Sequence, residues 1–169
     1  MERSLDIFTS NFKRIKLINN LSLLIFIILI IASPFWCVIT FFFLSFTKNQ
    51  NLKKKNQLLL ITALSYYLAL VLSTANLSGD MMIYKELFIS SNDTGFIQFF
   101  KTQRKEILYS IYSFLLSKLT NGAFDFYVGF TVFIMYFIFF KSIVFLSKKH
   151  LLETNKANTI ILLIGFFPP

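Results

Sequence analysis

Residues 21–46 form one apolar run of about 26 residues without a single charge. An α-helix needs only ~20 such residues to cross a bilayer. Two further runs of that kind follow, at 58–77 and at 124–146, the latter strongly aromatic with Lys141 near its far end. Apolar stretches of this length and number leave few ways to fold. With 56% hydrophobic residues and 23 phenylalanines in 169 positions, a soluble domain could not hide so much apolar surface in one core. The expected solvent is hydrocarbon. The expected fold class is all-α, a polytopic integral membrane helix bundle.

Charge and cysteine usage narrow the function classes. The chain has 17 Lys and Arg against 8 Asp and Glu, a net charge of +9. The basic residues fall mainly in short segments flanking the apolar runs, where they read as topology signals facing anionic headgroups and not as a nucleic-acid surface. One Cys and one His exclude a disulfide framework and argue against a Cys/His metal cluster, and no cofactor is expected. Cys37 reads as an inert buried thiol. His150, beside Lys148 and Lys149, reads as a solvated loop residue. The first run is longer than a signal-peptide core and lacks a small-residue cleavage site, so it should remain as an anchor.

Along the chain, residues 1–20 mix Arg3, Lys13, Arg14 and Lys16 with apolar residues at three- and four-residue intervals. The segment is an interfacial helix or a basic flank. Pro34 interrupts run 21–46, which is expected to be one kinked or tilted helix, with Trp36 packed between helices. The segment from Lys48 to Asn56 holds the densest basic cluster, Lys53-Lys54-Lys55, ahead of the span 58–77, in which Tyr66 and Tyr67 read as packing residues.

The loop 78–106 opens with helical logic. Ser78 can cap, Asp80 lies in the first turn, and Asp80, Ile83, Tyr84, Leu87 and Phe88 share a face. That pattern predicts an amphipathic helix on the membrane surface, broken at Ser90–Gly95. Phe96–Phe100 returns to the interface, ahead of a basic patch of Lys101, Arg104 and Lys105. The apolar run 107–119 is short for a span and suits a re-entrant or tilted helix. On it Glu106, Ser110, Ser113 and Ser117 draw a polar line, read first as close helix packing and second as a cavity wall. Thr120-Asn121-Gly122 makes a tight turn. The run 159–169 is too short to cross, which reads as a chain cut short inside an element.

Alternating spans place the Lys48–Lys55 loop on one side and the amino terminus, the Asp80 loop and the Lys148 loop on the other. The raw Lys/Arg count favours the second group as cytoplasmic, whereas the density of lysines favours the first. The two criteria conflict.

At Gly79-Asp80-x-x-x-Tyr84-x-x-x-Phe88, followed by Glu106 ahead of Ile107-Leu108-Tyr109, the sequence resembles the EpsG family of polysaccharide-assembly membrane proteins, similar in role to Wzy-type O-antigen polymerases. The likeness covers roughly residue 21 to the end of the chain. The Arg-Gln pair that the family carries in a later membrane segment is not present here. The resemblance implies a multi-pass protein of the bacterial inner membrane with GT-C-like architecture, here partial. It implies action on sugars carried by polyprenyl diphosphate, alongside other polysaccharide-assembly proteins, with the Asp80 loop outside and the Lys48–Lys55 loop in the cytoplasm.

Joining a sugar hydroxyl to an anomeric carbon that leaves as a lipid diphosphate needs a base and a cationic clamp. Asp80 or Glu106 could be the base, Arg104 or Lys105 the clamp, and Tyr84 and Tyr109 sugar-binding residues. Each charged residue also has a plain structural role open to it. Asp80 and Glu106 suit helix dipoles, and Arg104 and Lys105 suit headgroups. The competing functions are a GT-C transferase adding single sugars from polyprenyl phosphate, and a transporter or scaffold of the same pathway, for which an inverted repeat of spans is the signature.

Overall fold

The computed structural model describes residues 20–74, 80–102, 107–148 and 154–166. All regular secondary structure among them is helical: α1 (Asn20–Ala32), α2 (Pro34–Leu44), α3 (Gln50–Ser73), α4 (Asp80–Asp93), α5 (Phe96–Thr102), α6 (Ile107–Thr120), α7 (Phe124–Lys148) and α8 (Thr154–Phe166). Two of these, Gln50–Ser73 and Phe124–Ser147, are long and apolar enough to cross a membrane.

The first apolar run is not one kinked helix. Proline forces the residue before it out of the helical region, and Ser33 sits in an extended conformation with φ −164° and ψ 101°. Pro34 then takes the first helical position, where its missing N–H is no loss. Helical bonding runs up to Ser33, whose N–H reaches Leu29 O, and resumes from Ser33 O to Cys37 N–H. The chain turns back on itself there. Phe26 and Phe41 meet edge to face with centroids 5.5 Å apart, and Cys37 Sγ lies 3.9 Å from Phe26 O. A straight helix rises 1.5 Å per residue and could bring neither pair together. Trp36 does not pack between helices. It is 59% exposed near this turn, touching Phe35 edge to face.

Helix α3 begins earlier than the apolar span alone predicts, because Asn49 caps it. Its Oδ1 accepts from the N–H groups of Asn51 and Leu52 at 3.0 and 3.3 Å. The lysine cluster therefore lies on helix, in the first turns of α3.

The chain divides into two compact units, Met1–Tyr67 with Phe137–Pro169, and Leu68–Tyr136. In the first, Val38, Phe41, Leu60, Ile61, Leu64, Phe140 and Ile161 are buried. A chain of amides closes its polar end. Gln57 Nε2 donates to Asn158 Oδ1 at 2.7 Å, and Asn158 Nδ2 donates to Ser45 Oγ at 3.0 Å, tying the ends of α2, α3 and α8 together. Asn56 Nδ2 donates to Leu44 O at 2.9 Å. Buried amides are costly unless paired, so these bonds specify which helix ends meet.

The second unit is built on α4, α6 and the first half of α7. Phe88, Leu116, Phe124, Tyr127 and Val128 form its core. Helices α4 and α6 run in the same direction. Tyr84 meets Tyr109 near their starts, and the Lys118 ammonium donates to Asn92 O near their ends. Helix α5 returns the chain between them, laying Phe96 and Phe99 against Phe114. The serine line of α6 is packing, as its first reading has it. Ser113 and Ser117 are buried, Ser117 Oγ donating to Phe88 O at 2.8 Å and Ser113 Oγ lying 3.3 Å from the Tyr127 hydroxyl. Ser110 is buried with no hydrogen-bond partner among the described residues. The turn after α6 takes left-handed φ values at Asn121 (52°) and Gly122 (77°), with Gly122 N–H on Ser117 O, and α7 returns antiparallel to α6.

Candidate functional site

Helix α4 forms where periodicity places it, and Asp80 is its first described residue, Ser78 lying outside the described residues. The helix N-terminus favours a carboxylate in its first turn. It does not lie alone on a surface. Phe88 and Ser91 are buried and face the other helices of the unit, while Ile83 stays exposed. The docking follows from Phe88, whose ring meets Phe124 at 5.7 Å and Tyr127 at 4.4 Å.

This docking sets Tyr84, one turn before Phe88, beside Tyr109 on α6, with ring centroids 5.4 Å apart at 68°. Both rings line a cleft of about 240 Å³ with Met81, Phe124, Tyr127 and Thr131. Its walls are almost wholly apolar, and the hydroxyls behind them bond to the protein. The Tyr112 hydroxyl and Thr131 Oγ1 are 2.8 Å apart, and Thr131 Oγ1 also donates to Tyr127 O at 2.7 Å. The space is below the ~300–1,000 Å³ of drug-sized sites, enough for one ring and not for an oligosaccharide. Aromatic, almost wholly apolar walls suit the apolar face of a ring-shaped ligand.

Of the residues singled out from the sequence, Tyr84 and Tyr109 are thus brought together. Arg104, Lys105 and Glu106 lie outside the described residues, as does His150, and of Asp80 only the backbone is described. Among the described residues, no three His, Cys, Asp or Glu side chains gather where a metal ion could sit. Sequence reasoning missed Phe124, Tyr127 and Thr131 as cleft residues. Their spacing of three and four along α7 puts them on one face, which is the signal that could have found them. Compared with known proteins, the chain matches no family model, no curated protein and no solved structure.

Proposed function

We propose that the chain is a multi-pass protein of a bacterial cytoplasmic membrane, a helix bundle of GT-C-like form, that extends surface polysaccharide from sugars carried on polyprenyl diphosphate. The observation that carries the reading is the Tyr84–Tyr109 ring contact on the wall of one aromatic cleft. The described parts of the two segments that the EpsG resemblance links, Met81 to Phe88 and Ile107 to Tyr109, are neighbours in space through it. Residence in hydrocarbon is supported by α7. Only 17% of its apolar window is buried, with Met135 and Ile138 among the exposed residues.

In this reading Tyr84 and Tyr109 hold a sugar ring. Asp80 or Glu106 takes the proton from the acceptor hydroxyl, whose oxygen bonds to the anomeric carbon as the carbon–oxygen bond to the diphosphate breaks. Arg104 or Lys105 stabilises the departing lipid diphosphate. The partners are the bilayer, the lipid-linked oligosaccharide and other polysaccharide-assembly proteins.

The test is complementation of a deletion strain, read as the ladder of polymer lengths on a gel. Asp80→Asn and Glu106→Gln, introduced together, should abolish the ladder and leave single repeat units on lipid. An unchanged ladder removes the enzymatic role. Addition of one sugar without any ladder in the wild type points instead to the single-sugar transferase.

A further inference from the structure

The lysine-density and lysine-count criteria conflict only if residues 21–46 cross the membrane. In the structure they fold back. The 11 residues of α2 rise about 16 Å, roughly half of the ~30 Å hydrocarbon core. Helix α1 is a short apolar helix of the same class. The turn that joins them is bare and apolar, with Ile31 79% exposed and Phe35 and Trp36 exposed beside it. Such a tip is unfavourable in water and at home among acyl chains. Helical hydrogen bonds close up to Ser33 and resume from it, and the proline at the gap has no N–H to leave unpaired, which limits the polar backbone at the turn.

Resting on the membrane reading above, we propose that α1 and α2 form a re-entrant hairpin that dips into one leaflet and leaves by the face it entered. Asn20 and the start of α3 then share a face. The 24 residues of α3 rise about 36 Å, which crosses once, and α7 crosses back. The segment between those crossings, with α4, α5 and α6, faces the opposite side.

The charges agree with this path and with no single crossing of residues 21–46. Leu68–Tyr136 carries five acidic and five basic residues, so the whole net charge of +9 belongs to the rest of the chain. With a re-entrant hairpin, the basic flank before α1, the Lys53-Lys54-Lys55 cluster and the lysines around 148–156 all come to one face. Anionic headgroups of the cytoplasmic leaflet are the surface that such a face fits. A single crossing would instead split them between both sides. The conflict between count and density disappears.

The full chain in its native membrane tests the path. Single cysteines replace Asn20, Asn51 and Asp93, each exposed, in a Cys37→Ser parent, and a membrane-impermeant maleimide is applied to spheroplasts and to inside-out vesicles. Cys37 is buried, so the wild-type residue serves as a silent background should the parent not accumulate. Asn20→Cys and Asn51→Cys should react only in inside-out vesicles, and Asp93→Cys only in spheroplasts. Labelling of Asn20→Cys and Asn51→Cys from opposite faces overturns the hairpin. Trp36 is the only tryptophan, so its quenching by brominated lipids in reconstituted vesicles reports the depth of the tip. Strongest quenching should come from bromines deep in the acyl chain, and strongest quenching at headgroup level overturns the proposal. Release of the protein by alkaline carbonate would instead remove the membrane reading beneath it.

Discussion

The hydroxyl of Ser117 on α6 donates to the carbonyl oxygen of Phe88 on α4 at 2.8 Å, and Ser91 donates to the same oxygen at 2.6 Å. A side chain this small lets two helices approach until a hydroxyl of one reaches the backbone of the other. Ser117→Ala should therefore lower stability only modestly, by about 0.6–1 kcal/mol. Ser117→Leu, which has no room, should cost about 1–3 kcal/mol. Denaturant unfolding in detergent micelles measures both, and equal losses would argue against close packing at this point.

Two glycines should respond in opposite ways to alanine. Gly122 has φ +77°, and a Cβ there meets Asn92 no closer than 3.7 Å, so strain and not crowding sets the outcome. Gly122→Ala should destabilise by about 1 kcal/mol or more. Gly129 lies inside α7, where a Cβ would meet Ser73 Cβ at 3.5 Å, an ordinary contact. Gly129→Ala should be neutral or stabilising by up to ~1 kcal/mol through helix propensity. Thermal unfolding of the two variants side by side checks the contrast.

Gln57 and Asn158 should be coupled. Each is buried, and removing either takes from the other the bond between Gln57 Nε2 and Asn158 Oδ1, while Asn158 Nδ2 keeps Ser45. A double-mutant cycle with Gln57→Leu and Asn158→Leu should give an interaction energy near 0.6 kcal/mol and below ~1.7 kcal/mol, the range of hydrogen bonds between membrane helices. An additive result would mean that the amides contribute separately.

At the cleft, ring and hydroxyl can be separated. If Tyr84 serves through its ring, Tyr84→Phe should keep the contact with Tyr109 and retain most polymer. Tyr84→Ala should lose about 0.5–1.5 kcal/mol of contact, roughly 2- to 10-fold in activity. The same pair of changes at Tyr109 should behave alike. Tyr84 is partly exposed, so matched protein levels of the two variants in membranes distinguish a binding defect from a folding one.

The helical class, the helix over Asp80–Asp93, the turn at Asn121-Gly122 and the packing role of Ser113 and Ser117 were legible because each rests on local chemistry: apolar residues at helical spacing, a left-handed turn, small side chains on one face. The fold-back at Ser33 was not legible. Proline permits a kink, a tilt or a break, and the break goes with tertiary contacts such as that of Phe26 with Phe41, which have no mark in the sequence. Trp36 was misplaced for the same reason, since a bare tip and a packed interior are equally apolar in composition. The cleft was half legible. Tyr84 and Tyr109 belong to recognisable segments, whereas Phe124, Tyr127 and Thr131 join them only once Phe88 has docked α4 onto α7.

Leu68–Tyr136 is one uninterrupted stretch, whereas the other unit needs both the beginning and the end of the chain. During synthesis the first can close as soon as its last residue leaves the ribosome. Gln57 cannot meet Asn158 until a further hundred residues have been made, so its amide must wait in the company of water, lipid headgroups or an insertion factor. Folding is therefore expected to run out of order, with residues 68–136 set before the helices ahead of them find their final neighbours.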